Sequence, residues 1–119
     1  MGTPYNNHNM KTIIDTTIEK LRVNYTLDYL WYGVFDIYGS NNLAEANIYS
    51  NQITFSPLLF TSNIGSGYKR ERAIQDKHNL TQEEFIKWII CHEYAHIYYK
   101  TTKHTNNFFN KVEAMYQSI

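Results

Sequence analysis

The sequence predicts an α+β domain with an N-terminal helix, a small and mostly antiparallel three-stranded sheet, a central helix and a C-terminal helix. Three observations support this fold class. The chain has 119 residues, which is the size of one domain. Near both ends, apolar residues recur at spacings of three and four, which is typical of amphipathic helices. Between these stretches lie short segments rich in aromatic and β-branched residues, which favour strands.

The first predicted element is a helix over residues 10–23, preceded by a flexible leader at residues 1–9. Residues spaced three and four apart form its apolar stripe: Ile13, Ile14, Thr17, Ile18 and Leu21. No repeat or low-complexity tract interrupts the rest of the chain. Residues 10–119 are therefore predicted to form a single domain.

The sheet is predicted from three apolar segments. Residues 25–37 read as one strand or two short strands, and residues 39–42 read as a turn. Residues 44–49 and 52–55 read as a hairpin. Pro57 ends this hairpin because a proline nitrogen cannot donate a hydrogen bond to a neighbouring strand.

The clearest element is the central helix, predicted to run from residue 82 to about residue 100. Thr81 and Glu84 form a capping box, in which each side chain accepts a hydrogen bond from the other residue's backbone N–H group. Residues 85–99 are apolar almost all round, and Lys87 is the one charged residue outside the motif described below. This pattern predicts a helix buried at the centre of the domain.

A final helix is predicted over residues 106–117. Its inward side is predicted to consist of four residues: Phe108, Phe109, Val112 and Tyr116. Ahead of the central helix, the charged segment at residues 68–78 reads as a loop or a short helix.

Composition excludes several classes of protein. Lys plus Arg and Asp plus Glu each number eleven, so the net charge is zero, which argues against a polycationic surface. Cys91 is the single cysteine, which excludes an internal disulfide and a cysteine-rich zinc ribbon. No segment approaches the roughly 18 apolar residues of a membrane span, and no signal-peptide core is visible. We therefore expect a cytoplasmic protein with no membrane partner.

Candidate chemistry lies in the central helix, where residues 92–96 read His-Glu-Tyr-Ala-His. His92 and His96 are four residues apart, so they share a helix face and can present nitrogen atoms to one ion. Glu93 lies one residue round the helix and can reach a water on that ion. Burying these polar groups costs free energy unless a partner such as a metal ion is present. The motif thus predicts Zn²⁺ as cofactor, with Glu93 as general base in the attack of water on a peptide carbonyl.

A catalytic zinc ion usually has three protein ligands, so a third must come from elsewhere. His104 is favoured, because a chain that turns back at the end of the central helix would bring it over His92 and His96. Glu113, on the final helix, is the alternative. The remaining histidines are weaker candidates and are expected to be exposed in loops: His8 and His78.

Other features near the motif have a structural and a functional interpretation. Cys91 is predicted to be a buried, apolar thiol. A tyrosine hydroxyl close to the motif could stabilise an oxyanion, although core or rim packing is favoured for each candidate. These candidates are Tyr94, Tyr98 and Tyr99. Trp88, one helical turn before His92, is predicted to lie in the core.

Two further features bear on partners. Residues 68–72 form, with Lys77, the densest basic run, which raises the alternative of a peptidase recruited to DNA-bound proteins. The balancing Glu71 and Asp76 favour a solvated surface instead. An edge strand near residues 52–55 is where an extended polypeptide substrate would pair with the sheet.

The sequence also contains a recognisable order of motifs. His92-Glu93-x-x-His96 is followed by His104 and by Phe108 four residues later, and residues 53–59 form an apolar strand end before the helix. In this order the chain resembles the SprT-like and WLM-type metallopeptidases, over roughly residues 10–118. Those families show the same zinc motif, a third histidine and an aromatic residue four positions beyond it.

The resemblance implies a minimal zincin fold that holds Zn²⁺ through His92, His96 and His104 and hydrolyses extended polypeptides. Thr105 follows the third histidine where those families commonly have glycine. In its small size the chain also resembles the minigluzincins, whose third ligand is a glutamate. Glu113 therefore remains the alternative third ligand. A non-catalytic zinc-binding regulatory or interaction module of the same fold is the other alternative.

Overall fold

A computed structural model describes residues 7–35, 43–60 and 76–119. The fold is α+β, as the sequence predicts. Its helices and strands, in chain order, are α1 (Asn7–Asn24), β1 (Trp31–Val34), β2 (Ala44–Asn47), β3 (Gln52–Phe55), α2 (Gln82–Tyr99) and α3 (Asn106–Gln117). A 3₁₀ turn at Pro57–Phe60 follows β3, and residues 76–78 are helical. The predicted turn at residues 39–42 lies outside the described residues.

The three strands form a mixed sheet in the order β1-β3-β2. β2 and β3 are antiparallel, with Ala44 opposite Phe55, which confirms the predicted hairpin. β1 and β3 are parallel, with Trp31 opposite Gln52. One of the two strand pairings is therefore antiparallel and the other is parallel. β3, the second strand of the hairpin, lies in the middle of the sheet.

The strand order changes the predicted edge. β3, at residues 52–55, pairs on both sides and has no free edge for a substrate. Within the described part of the chain, the edge strands are β1 and β2. Local sequence pattern does not determine the strand order, because the order depends on contacts between segments that are distant in the chain.

α1 begins at Asn7, three residues before the predicted start, so that residues 7–9 belong to the helix and not to a leader. Its inner side includes the fully buried Ile14, Ile18 and Leu21. α1 ends at Asn24, and residues 25–30, expected to be strand, join it to β1 without regular structure.

α2 is the central helix of the domain, as predicted. Its capping box is present: the Glu84 N–H donates to the Thr81 hydroxyl at 3.2 Å, and the Thr81 N–H donates to the Glu84 carboxylate at 3.0 Å. α2 packs against α1, β2, β3 and α3. Its buried residues surround the helix axis: Phe85, Ile86, Trp88, Ile89, Ile90, Cys91, Glu93, Tyr94, Ala95, His96 and Ile97.

α3 spans the predicted residues 106–117 and packs on α2. Phe108 and Val112 are buried, as predicted, whereas Phe109 and Tyr116 are only partly buried. Met115 is fully buried and was not predicted.

Candidate metal centre

Three histidine side chains converge at the end of α2. The Nε2 atom of His96 lies 3.2 Å from Nε2 of His92 and 3.1 Å from Nε2 of His104. One ligand atom from each residue lies within 4.8 Å of the others. In a tetrahedral zinc site with Zn–N bonds of about 2.1 Å, ligating nitrogens are about 3.4 Å apart. The observed spacing therefore fits three imidazoles around one ion.

The local backbone explains how His104 reaches the helix face. Lys100 caps α2 in the left-handed conformation, with φ of 51°, and reverses the chain. The N–H group of Thr101 then donates to the His96 carbonyl at 3.1 Å. Thr105 caps α3, and its hydroxyl accepts the Phe108 N–H at 3.1 Å. His104 is thus held in a short segment between two capped helices.

Glu113, the alternative third ligand, is not among the three ligand groups that converge. It lies on α3, and its carboxylate accepts a hydrogen bond from Gln117 at 3.1 Å. His78, exposed at the end of the helical residues 76–78, is not part of the converging group either. The His8 side chain lies outside the described residues.

A backbone carbonyl fixes the proton position on His96. Its Nδ1 atom lies 2.6 Å from the Thr101 carbonyl oxygen. Because a carbonyl only accepts hydrogen bonds, Nδ1 carries a proton, and in the neutral form of the ring Nε2 presents a lone pair. His96 is 6% exposed, so the ring is held in this orientation away from solvent.

Glu93 lies beside this cluster and is 7% exposed. Its Oε1 atom is 4.0 Å from Nδ1 of His92. The carboxylate therefore borders the His92 ring on the side of the nitrogen that does not face the other histidines.

Two phenylalanines pack against the ligand rings. Phe108 stacks on His96, with ring centres 4.4 Å apart and planes within 21°. Phe109 stacks on His104 at 6.0 Å and 28°. The sequence resemblance rests on Phe108, with Phe109 extending the match, and both rings also lie near His92, at 5.5 and 6.0 Å.

Phe109 also continues a stack of rings that runs across α2. Trp88 lies 6.3 Å from Phe109 with planes within 17°, and His78 lies 6.4 Å from Trp88 within 26°. We call His78, Trp88, Phe109 and His104 the aromatic column. Trp88 is buried, as predicted, and within the described residues its indole Nε1 has no hydrogen-bond partner. Its position four residues before His92 was the signal in the sequence for its contact with that ligand.

The end of α2 is also tied to the sheet. Lys100 Nζ donates to the Ile48 carbonyl at 3.1 Å and to the Asn51 side chain. This contact fixes the turn between β2 and β3 next to the segment that carries His104. Sequence patterns do not show it, because the two partners are 49 positions or more apart.

Three residues in or next to the motif have structural roles. The Tyr94 hydroxyl donates to the Tyr25 carbonyl, and burial raises its pKa to about 12. Cys91 is buried, and burial raises the pKa of its thiol to about 12, so it stays a neutral, apolar side chain as predicted. Tyr98 packs edge-on against Tyr25 at 5.4 Å.

Comparison with protein-family models, curated proteins and solved structures found no match. The resemblance to SprT-like and WLM-type metallopeptidases therefore rests on the motif residues alone and stays a prediction. The basic run at residues 68–72, on which the DNA alternative depends, lies outside the described residues. Within the described part of the chain, no helix is long and apolar enough to cross a bilayer.

Proposed function

We propose that this protein is a zinc-dependent peptidase that hydrolyses extended polypeptides in the cytoplasm. His92, His96 and His104 would hold Zn²⁺, and Glu93 would act as general base. The single observation that carries this proposal is the convergence of three Nε2 atoms at 3.1 and 3.2 Å beside a buried carboxylate. The single cysteine, buried as a thiol, is compatible with a reducing compartment.

Each residue has a defined task in this chemistry. When bound, zinc would polarise the attacking water and the peptide carbonyl. Neutral imidazoles are required of the three ligands, and the Thr101 carbonyl selects the required tautomer of His96. Glu93 would accept the proton of the attacking water and return it to the leaving amine. Its low exposure keeps the carboxylate away from competing solvent.

The free edge of β2 is the best support for an extended substrate. β2 packs on α2, and no described strand pairs with its outer edge. A groove of about 390 Å³ lies over one face of the paired strands β2 and β3, and Thr102 also lines it. Thr102 belongs to the segment that carries His104, so the sheet that a peptide would extend at β2 lies next to the segment bearing the third histidine.

A second candidate function is a non-catalytic zinc module. It is favoured by the position of Glu93, whose Oε1 lies 4.0 Å from Nδ1 of His92. Carboxylates commonly orient metal-binding histidines from that side of the ring. In that case Glu93 would support zinc binding and would not transfer protons.

Replacement of Glu93 by glutamine separates the two functions. For a peptidase, we expect Glu93→Gln to bind zinc with wild-type stoichiometry and affinity while kcat/KM on an unfolded protein substrate falls at least about 100-fold. Elemental analysis, competition with a zinc chelator and a fluorescent casein assay measure these quantities. The matched control is Glu83→Gln, an exposed glutamate on the same helix, which should retain full activity.

The non-catalytic alternative predicts a different result. If Glu93 only orients His92, the Glu93→Gln variant should lose about 10–100-fold in zinc affinity. A zinc-loaded wild-type protein that cleaves no peptide would exclude the peptidase and leave the non-catalytic module.

A further inference from the structure

A second concavity lies next to the metal centre, along the segment between α2 and α3. It is a hollow of about 190 Å³. Phe108 is its one buried lining residue. The other lining residues carry polar atoms or charges: Tyr99, Thr101, Lys103, Thr105, Asn107 and Lys111. We call this concavity the lysine hollow.

The charges that line the lysine hollow are both positive. Between Glu93 and Glu113 the chain has three lysines and no acidic residue, although its net charge is zero. Two of these lysines, Lys103 and Lys111, line the hollow. Neither forms an ion pair within the described part of the chain. Lys111 Nζ instead lies 4.3 Å from the centre of the Tyr99 ring, which holds its charge at the wall of the hollow.

Two hydroxyl groups in the hollow can serve as donors. The Thr101 hydroxyl oxygen accepts the Lys103 N–H at 3.1 Å, and the Thr105 hydroxyl oxygen accepts the Phe108 N–H at 3.1 Å. Since each oxygen already accepts a backbone hydrogen bond, each hydroxyl still has a proton to donate. Two ammonium groups and two hydroxyl donors, with no carboxylate among them, complement an oxyanion.

The hollow shares two residues with the metal centre. Phe108, which lines the hollow, stacks on His96 at 4.4 Å. Thr101, also in its wall, accepts the hydrogen bond from Nδ1 of His96. One phenyl ring therefore separates the hollow from a metal ligand. An extended chain advances about 3.3 Å per residue, so a side chain only a few residues from the scissile bond can span this distance.

We infer that the lysine hollow is a subsite that binds a carboxylate of the polypeptide substrate, from an aspartate, a glutamate or the chain terminus. This inference rests on the proposed peptidase function. It adds a preference for acidic substrates to an enzyme whose own net charge is zero.

A substrate series tests the preference in the zinc-loaded protein. Quenched fluorescent peptides would differ only by Glu or Gln at successive positions on either side of the scissile bond. At one position within about four residues of the bond, we expect the Glu peptide to have a kcat/KM about tenfold higher or more. Lys103→Glu should abolish or reverse this ratio. Lys20→Glu makes the same charge change at an exposed position of α1 and should leave the ratio unchanged. Equal effects of the two variants would show that overall charge sets the preference and would overturn the subsite.

A second measurement does not depend on catalysis. The zinc-loaded wild-type protein is titrated with sodium acetate and separately with inorganic phosphate, and the amide NMR shifts of residues 99–111 are followed. We expect saturable shifts with acetate that disappear in Lys103→Glu and persist in Lys20→Glu. Saturation by phosphate alone would overturn the carboxylate assignment, and no saturable shift with either anion would overturn the site. If acetate binds but no peptide is cleaved, the proposed peptidase function is wrong and the oxyanion site stands.

Discussion

At the scale of single residues, the candidate metal centre depends on one histidine that does not belong to α2. His92 and His96 come from adjacent turns of a capped helix, and the helix alone sets their spacing. His104 reaches them only because the left-handed Lys100 reverses the chain and Thr101 pairs with the His96 backbone. The third imidazole is thus the ligand whose position depends most on the surrounding fold.

We therefore expect His104→Ala to weaken zinc binding by more than about 100-fold, beyond the 10–100-fold typical of losing a supporting partner. Glu113→Ala should bind zinc like the wild type, because its carboxylate is engaged by Gln117 and not by the histidine cluster. Chelator competition measures both affinities. A larger loss in Glu113→Ala than in His104→Ala would exchange the two assignments.

The sequence predicted the histidines but not what orients them. The four-residue spacing on the apolar helix was sufficient to predict that His92 and His96 lie side by side, because helix geometry is local. The role of Glu93 stays a prediction. The Thr101 carbonyl, which fixes the tautomer of His96, was not predictable because backbone groups carry no sequence signal. The stacking of Phe109 and Trp88 also depends on how α3 crosses α2, which no local pattern determines.

At the scale of elements, local signals predicted the limits of α2 and α3 closely but not the start of α1 or the pairing of β1. α3 has its predicted limits because Thr105 provides the capping hydroxyl, worth about 1 kcal/mol. The hairpin was predictable because two strand-like segments, residues 44–49 and 52–55, are separated by only two residues. The parallel pairing of β1 with β3 was not, because it joins residues 21 positions apart that share no turn.

One polar contact joins α1 to β1, and it predicts how stability depends on pH. The Tyr32 hydroxyl donates to Asp15 Oδ1 at 2.6 Å, and Lys11 lies 3.1 Å from Oδ2. Burial alone would raise the pKa of Asp15, but hydrogen bonds from Tyr32 and Lys11 and the lysine charge lower it below its usual value. Burial, with the bond to Asp15, raises the pKa of Tyr32 to about 12.

The two pKa shifts determine how stability changes with pH. Because folding lowers the pKa of Asp15, its contribution is present above the pKa of the unfolded carboxyl and is lost as pH falls through the folded value. Because folding raises the pKa of Tyr32, its contribution is present below the unfolded value near 10 and is lost as pH rises through about 12.

Tyr32→Phe should accordingly reduce the free energy of unfolding by about 1–2 kcal/mol at pH 7. The deficit should shrink as pH falls below the ordinary aspartate pKa of 3.8 and through the lower pKa of the folded Asp15 carboxyl, because the hydrogen-bond acceptor is then protonated. Urea unfolding across pH 2–8 measures it, with Tyr29→Phe as the control because that side chain is 60% exposed. A deficit that is constant with pH would show that lost packing, and not the hydrogen bond, destabilises the variant.

At the scale of the whole molecule, the candidate metal centre brings together α2 and the segment between α2 and α3. α2 carries two of the three histidines and packs on α1, β2, β3 and α3. The third histidine lies between α2 and α3, in a segment that begins beside the turn of the hairpin, where Lys100 contacts Ile48. An ion that binds all three imidazoles would therefore stabilise the folded chain and not the unfolded one, in which these residues are not held together.

Zinc should consequently raise the unfolding temperature of the metal-free protein. At free zinc about 100 times the dissociation constant, binding adds about 2.7 kcal/mol to stability, or roughly 10 °C for a chain of this size. Mg²⁺ at the same concentration should have no effect, because it prefers oxygen ligands. Differential scanning fluorimetry of chelator-treated protein measures both shifts. His92→Ala should remove the zinc response, whereas His78→Ala should retain it, because His78 reaches the cluster only through the aromatic column. Equal zinc responses in these two variants would mean that the ion binds surface histidines and that the three converging imidazoles do not form the site.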